Sequence, residues 1–223
     1  MDFESRLQAL LVNQKAPDIR TFHSLGYRIC QTLVRQGDMP AFQKSILSEP
    51  EIESATWRIL RHLADEAIAD DVLSRKKKWV EPAVAYFELI KSSLDSPEII
   101  FDRIGLPEVC RFFIDAFYRF EDWRTEQGRL TFSDLIYEPV QRFRQQPELA
   151  AQFGGHLAEI IVDEFQDINP VQHFLLETLA SDVAQVMVVG DPDQTIYEFR
   201  GSQPTILTQH FEQTFSGCQD YRL

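Results

Sequence analysis

Two short apolar runs that end in acidic residues decide the fold: EIIVDE at residues 159–164 and VMVVGD at residues 186–191. Between them, Asn169-Pro170 has the pattern of a helix N-cap followed by proline at the first helical position, and apolar residues then repeat at helical spacing. Two fully apolar strands joined by a helix predict a right-handed crossover in a parallel sheet. The chain is therefore expected to belong to the α/β class.

The acids that follow these runs form a candidate site for phosphate chemistry. Ligands of a parallel sheet bind beyond the carboxyl ends of its strands, where Asp163, Glu164 and Asp191 are expected to lie. An apolar strand that ends in two acids is the Walker B pattern, in which one carboxylate holds Mg²⁺ and the other activates the attacking water. The acidic pair alone is also compatible with an ordinary strand end, since such positions often carry acids.

The chain upstream of these strands is predicted to be mostly helical. Residues 18–22 alternate like a short strand and lead into a helix that Gly37 is placed to cap. Residues 40–155 have helical patterns throughout, and the clearest helix is expected to begin near Pro107 and to end before Gly128. Its aromatic stripe is interpreted as packed core. The basic run RKKK at residues 75–78 leaves two interpretations open, a phosphate contact or a solvated surface.

Composition limits the class of protein. The 223 residues are 44% hydrophobic, enough to bury a core, and no apolar run approaches the ~20 residues that cross a bilayer. Three widely spaced cysteines fit neither a zinc pattern nor a disulfide framework, and the N-terminus lacks a signal-peptide pattern; together these favour a cytoplasmic protein with no membrane partner. The net charge of −13 argues against nucleic-acid binding, because phosphate binding usually needs a basic surface.

Four longer motifs carry a specific resemblance. They are TFHS at residues 21–24, LTFSDLI at 130–136, DEFQD at 163–167 and GDPDQTIYEFRGS at 190–202. In sequence and in order they resemble the motifs of superfamily 1 DNA helicases of the UvrD/Rep type. The resemblance implies a partial RecA-like parallel sheet of the P-loop NTPase type with a large all-helical insertion subdomain. Residues 1–37 and 156–223 would belong to the RecA-like domain, and residues 38–155 to the insertion.

The resemblance also implies a role for each matching residue. Asp163 would be the Mg²⁺ ligand, Glu164 the general base and Gln194 the sensor of the γ-phosphate of ATP. Coupling of the nucleotide site to neighbouring motifs would fall to Gln166, Asp167 and Asp191. Single-stranded DNA would contact Thr21, His23, Phe132, Tyr197, Phe199 and Arg200, where the aromatic rings offer faces for base stacking.

Structural alternatives stay open for several of these residues. Tyr197 and Phe199 could be core aromatics that follow a strand, and His23 could brace its own helix. Arg200 could serve only as the ion-pair partner of one of the many acids.

A phosphate-gripping loop of the form GxxxxGK[ST] is missing from the sequence, since none of the six lysines follows a glycine. The resemblance implies that this loop and a second RecA-like domain lie outside the chain. The chain alone is then expected neither to bind Mg-ATP tightly nor to hydrolyse ATP appreciably. Expected partners are single-stranded DNA, the remainder of the helicase, and a second copy through an exposed sheet edge.

Two other functions are alternatives to the helicase motor. One is a non-catalytic, truncated paralogue that acts as a DNA- or helicase-binding module. The other is a DEAD-box RNA helicase, but that family carries Ser-Ala-Thr after the second strand, whereas this chain has GDPDQ at residues 190–194.

Overall fold

A computed structural model describes residues 17–155, 157–180, 185–191 and Phe215 of the chain. Within these ranges the chain is mostly helical, with one small parallel sheet near its C-terminal end. The helices are α1 (Phe22–Gln36), α2 (Glu49–Leu63), α3 (Ala69–Ser74), α4 (Lys76–Lys91), α5 (Pro97–Ile104), α6 (Phe112–Glu126), α7 (Asp134–Gln145), α8 (Glu148–Gly154) and α9 (Pro170–Ala180); the strands are β1 (Glu159–Val162) and β2 (Gln185–Val188).

The first helix begins and ends as the sequence predicts, but no strand precedes it. Thr21 is the N-cap of α1, and its hydroxyl oxygen accepts a hydrogen bond from the Ser24 amide at 3.2 Å. Gly37 ends the helix in the left-handed conformation, with φ of 86°. The strand expected at residues 18–22 is wrong: residues 17–21 are not in a strand, and Phe22 already belongs to α1. The alternating pattern of apolar and polar residues belongs to an extended segment that precedes the helix.

Helix α1 lies in direct backbone contact with α7. A Cβ atom at Gly26 would lie 2.0 Å from the carbonyl oxygen of Leu135, so no residue larger than glycine fits there without movement. Helices α1, α7, α8 and α9 share one buried cluster, which includes Leu33, Phe143 and Leu175. Through this cluster, α1, which precedes the helical middle, shares a core with α9, which joins the two strands.

The helical middle has its own core, to which the predicted aromatic stripe contributes. Phe113, Phe117 and Phe120 of α6 are buried against α2, α4 and α5. The helix starts later than expected, because Glu108–Cys110 form a 3₁₀ turn and Val109 is 49% exposed. The interpretation of the stripe as packed core is confirmed for its residues on α6 and is wrong for Val109.

The two predicted strands pair in parallel. Ile161 of β1 lies opposite Met187 of β2, and both side chains are exposed on one face of the sheet. On the connection between the strands, the Asn169 side chain accepts from the Gln172 amide while the Gln172 side chain accepts from the Asn169 amide, each at 2.9 Å. This reciprocal cap begins α9 as the Asn169-Pro170 pattern predicts. Among the helices described, none is long and apolar enough to span a membrane.

Candidate functional site

The carboxyl end of β1 carries two exposed carboxylates on a strained turn. Asp163 and Glu164 follow the strand directly, and both side chains are exposed. Glu164 has φ of 52° and ψ of 41°, and among the residues described it is the one non-glycine residue with positive φ. That conformation costs on the order of 1 kcal/mol for a residue with a Cβ atom, and such strain concentrates at functional sites. Asp163 Oδ1 accepts the Glu164 amide at 3.0 Å, which stabilises the turn.

Gln166 connects this turn to the end of the second strand. Its side chain is buried, Nε2 donates to Glu164 Oε2 at 2.6 Å, and Oε1 accepts the Asp191 amide at 3.0 Å. Because one amide group both donates and accepts, it joins the carboxylate after β1 to the backbone after β2. A Cβ atom at Gly190 would lie 2.5 Å from Gln166 Oε1, so glycine leaves the space that the Gln166 side chain occupies.

Backbone hydrogen bonds extend the pairing of the strands into the site. The Val189 amide donates to the Val162 carbonyl at 2.8 Å, and the Phe165 amide donates to the Val189 carbonyl at 2.9 Å. Asp167 closes the 3₁₀ turn that follows, with its amide donating to the Glu164 carbonyl at 2.9 Å. The carboxyl ends of both strands are therefore held side by side, as a ligand site at this edge of a parallel sheet requires.

A second feature lies at the start of α1, where two rings from distant parts of the chain stack. The His23 and Phe132 rings have centroids 3.8 Å apart and planes inclined by 16°. Phe132 remains 54% exposed, so a flat apolar face is open to solvent. Burial lowers the pKa of His23 to about 4, so the imidazole is neutral at pH 7. Phe22, next to His23, packs against the buried cluster that includes Val162 and Phe165, which connects this end of α1 to the strand-end turn.

A buried ionic network holds the segment that presents Phe132. The Asp134 carboxylate accepts from the Thr131 amide and hydroxyl, both at 2.7 Å, and from Lys91 Nζ at 2.6 Å. Arg124 Nε lies 3.2 Å from the same carboxylate. Burial alone would raise the pKa of Asp134, but Lys91, Arg124 and the donated hydrogen bonds hold it below its ordinary value. The network fixes the turn on both sides of Phe132.

Sequence reasoning missed Lys91, Arg124 and Asp134. The Thr131-Phe132-Ser133-Asp134 spacing is a local capping pattern that could have revealed the turn. Nothing in the sequence pairs Asp134 with cations on α4 and α6, because these helices are distant along the chain.

Three carboxylates converge in this network without forming a metal site. Glu121, Asp134 and Glu138 are the group of three acids close enough to share an ion within the described ranges. Lys91 lies 2.7 Å from Glu121, and Arg124 lies 2.5 Å from Glu138. Lys91 and Arg124 together form ion pairs with all three acids, and a divalent ion would have to displace these cations.

The structure places eight of the twelve candidate residues and leaves the others undescribed. Glu164, Gln166 and Asp191 are in hydrogen-bonded contact, with Asp163 and Asp167 on the same turn. His23 and Phe132 are stacked, and Thr21 caps the helix that carries His23. Four candidates lie outside the described residues: Gln194, Tyr197, Phe199 and Arg200.

A small parallel sheet with acids at both strand ends, in an otherwise helical chain, defines an α/β domain. The sequence matches the model of the UvrD/REP helicase N-terminal domain over residues 1–216. The chain therefore belongs to this family.

Known helicases share its sequence over most of the chain. It is 28% identical over 200 residues to the putative ATP-dependent DNA helicase YjcD of Bacillus subtilis, covering 89% of this chain and 24% of that protein. It is 27% identical over 206 residues to DNA helicase II of Escherichia coli, covering 92% and 27% respectively. DNA helicase II of Haemophilus influenzae is 28% identical over 185 residues, which cover 83% of this chain and 24% of that protein. The chain spans about a quarter of the length of these three relatives.

Proposed function

We propose that the chain is part of the motor core of an ATP-dependent DNA helicase that translocates on single-stranded DNA and unwinds duplex. The observation that carries the proposal is the Gln166 side chain, which joins the Glu164 carboxylate to the backbone of Asp191 at the paired strand ends. A motor must link its nucleotide site to a moving segment, and an amide bound on both sides is suited to that task. The fold proposed is a partial RecA-like sheet with residues 38–155 as a helical insertion.

The nucleotide side of the site is assigned to the turn after β1. The exposed carboxylate of Asp163 supplies the oxygen ligands that Mg²⁺ prefers, and this residue would hold the ion. When bound, Mg²⁺ would neutralise charge on the phosphate oxygens of ATP. Glu164 would accept the proton of the attacking water, and its hydrogen bond to Gln166 would hold the carboxylate in one orientation. Gln194 would sense the γ-phosphate, with Asp167 and Asp191 in coupling roles.

The DNA side is assigned to the stacked rings. The open face of Phe132 would take a base of a single strand, since base stacking on an aromatic ring needs no particular sequence. His23 supports the ring from behind as a neutral imidazole, and Thr21 would contact the backbone of the strand. The DNA strand would then pass along Tyr197, Phe199 and Arg200.

The test of the DNA assignment is fluorescence anisotropy with a labelled single-stranded oligonucleotide. We expect the wild-type chain to bind weakly, and more weakly at ~200 mM than at ~50 mM salt. Phe132→Ala should weaken binding roughly tenfold. Tyr118→Ala is the matched control, because Tyr118 is a similarly exposed aromatic residue, 46% against 54%, on α6. Equal binding by wild type and both variants would contradict the assignment.

A second candidate function is a non-catalytic module that binds DNA or a partner helicase. It is favoured by the lack of a lysine after any glycine in the sequence, so that no GK[ST] sequence is present to grip ATP. Both functions predict negligible ATP hydrolysis by the isolated chain. DNA-stimulated ATP turnover that disappears in Glu164→Gln would contradict this expected inactivity. It would also exclude the non-catalytic module and support Glu164 as the base.

A further inference from the structure

A small polar cavity lies beside the segment that leads to Phe132. It has a volume of about 220 Å³ and lies between the side chains of α2 and the end of α6. Its lining includes Arg58, Arg129 and Trp123, together with Gln43, Gln127 and Glu51. Two guanidinium groups, two amides and one tryptophan ring are a donor-rich combination for an otherwise acidic chain with net charge −13.

Arg58 is the less restrained of the two cations. Its guanidinium carbon lies 5.6 Å from the centroid of the Trp123 ring, so the aromatic face holds it at the cavity. Among the residues described, no carboxylate lies within ion-pair distance of Arg58. The full charge of this side chain is therefore free to meet an anion.

Arg129 is partly paired but keeps an unused donor. Its Nη2 lies 3.2 Å from Glu51 Oε1, while its Nε is buried and has no hydrogen-bond partner among the described residues. The Arg129 side chain is 17% exposed, so the part of the guanidinium that is open to the cavity can meet an anion, although Nε itself is enclosed. The guanidinium fork also matches the geometry of a phosphate group.

Glu51 does not cancel the attraction for an anion. Its carboxylate accepts the Ser48 amide at 2.8 Å and the Ser48 hydroxyl at 2.7 Å, in addition to Arg129. The Ser48 hydrogen bonds come first among the causes that hold the pKa of Glu51 below its ordinary value. Glu51 stays ionised and offsets one of the two arginines, so the other leaves the cavity with one excess positive charge.

The cavity residue Arg129 and Phe132 lie on one continuous segment of the chain. Gln43 and Leu47 donate backbone hydrogen bonds to Gly128 and Leu130, each at 2.7 Å, which fixes the cavity floor against residues 128–130. Arg129 precedes Phe132 by three residues, so their Cα atoms are at most about 11 Å apart. A strand that stacks a base on Phe132 therefore passes within reach of this cavity.

We propose that this cavity binds a phosphate group of the same DNA strand whose base stacks on Phe132. The inference rests on the proposed DNA-binding function. Arg58 and Arg129 supply the charge, and the amides of Gln43 and Gln127 line the same cavity. The contact positions the strand without reading its sequence, as phosphate contacts do.

The first test compares DNA affinity and its salt dependence in three variants. Arg58→Gln should weaken binding of a labelled oligothymidylate about tenfold and make the slope of log affinity against log salt shallower by about 0.7. Arg119→Gln is the control, because Arg119 is an exposed arginine on α6 outside the cavity; it should change affinity less than about twofold. The third variant, Phe132→Ala, removes the stacking ring and leaves the cavity intact, so it tests the proposed DNA-binding function separately.

The outcomes separate the two proposals. If Phe132→Ala weakens binding and Arg58→Gln behaves like Arg119→Gln, the cavity assignment is overturned while the DNA function stands. If the wild-type chain does not bind the oligonucleotide, both are overturned.

A second test needs no DNA. In arginine Nε–Hε NMR spectra, inorganic phosphate should shift the Arg129 and Arg58 signals with saturation, whereas sodium chloride at equal ionic strength should not. Equal shifts with both salts would contradict an anion site. If phosphate binds the wild-type chain saturably but Arg58→Gln binds DNA with normal affinity, the cavity is a site for free phosphate. That result would overturn the DNA contact.

Discussion

The His23 ring lies flat against the Phe132 ring, 3.8 Å away, and thereby joins the first turn of α1 to the segment before α7. The pairing leaves one face of Phe132 in solvent and covers the other. A ring supported from behind is a better stacking surface than a free one, because less side-chain entropy is lost when a base binds. The support is therefore expected to matter for DNA binding as well as for the fold.

Removal of the supporting ring should weaken DNA binding less than removal of Phe132 itself. We expect His23→Ala to reduce the affinity for a single-stranded oligonucleotide by a few-fold, because Phe132 remains but loses its backing. His23→Phe keeps a flat ring and should bind like wild type. Anisotropy titrations of the two variants measure the difference. A His23→Phe variant as weak as His23→Ala would show that the imidazole nitrogens, and not the stack, make the contact.

The burial of His23 predicts a stability that depends on pH. Its pKa is about 4 in the folded chain, against about 6.5 for an unperturbed histidine, so the unfolded chain binds the proton more readily between these values. The contribution of the neutral His23 imidazole to the stability of the fold is fully present above pH 6.5 and is lost as the pH falls from 6.5 to 4. Urea unfolding at pH 7 and pH 5 should show a smaller loss of stability in His23→Phe than in wild type. Equal losses in the two proteins would contradict the prediction.

The Gln166 link should be visible in the exchange of one backbone amide. The Asp191 amide donates to Gln166 Oε1, whereas the nearby Val189 amide donates to the Val162 carbonyl. Gln166→Ala should speed hydrogen exchange of the Asp191 amide by about fivefold, because an average hydrogen bond of about 1 kcal/mol is lost. The Val189 amide serves as the internal control and should keep its rate. A matching acceleration at Val189 would mean that the whole strand pair has loosened.

The contact between α1 and α7 predicts a strong effect of one methyl group. At Gly26 an added Cβ atom would lie 2.0 Å from the Leu135 carbonyl oxygen, which forces the two helices apart. Gly26→Ala should lower the free energy of unfolding by roughly 3 kcal/mol, even though alanine favours helix by about 1 kcal/mol. Ser24→Ala, at an exposed position of the same helix, is the control. Denaturant titrations that give similar stabilities for the two variants would contradict the close packing.

Local patterns predicted the elements that frame the site. The apolar runs marked β1 and β2, Asn169-Pro170 marked the start of α9, and Gly37 marked the end of α1, because each signal lies within a few residues of what it predicts. The alternation at residues 18–22 failed, since a stretch that short also fits an extended helix cap.

Contacts between distant residues could not be predicted in the same way. Motif resemblance pointed to His23 and Phe132 separately, but their stacking depends on how α1 packs against α7 through Gly26. The pairing of Lys91 with Asp134 likewise depends on the packing of the helical middle. Resemblance also suggested a linking role for Gln166; the structure adds the two atoms through which its side chain makes the link.

Mn²⁺ binding tests the proposal that the turn after β1 holds a divalent cation beside the end of β2. Mn²⁺ can stand in for Mg²⁺ at oxygen ligands, and its paramagnetism broadens nearby NMR signals. We predict early broadening of the Phe165, Gln166 and Asp191 amides, lost in Asp163→Asn and kept in Asp70→Asn, a change at an exposed acid of α3. Broadening spread over the exposed acids and unchanged in Asp163→Asn would contradict the claim.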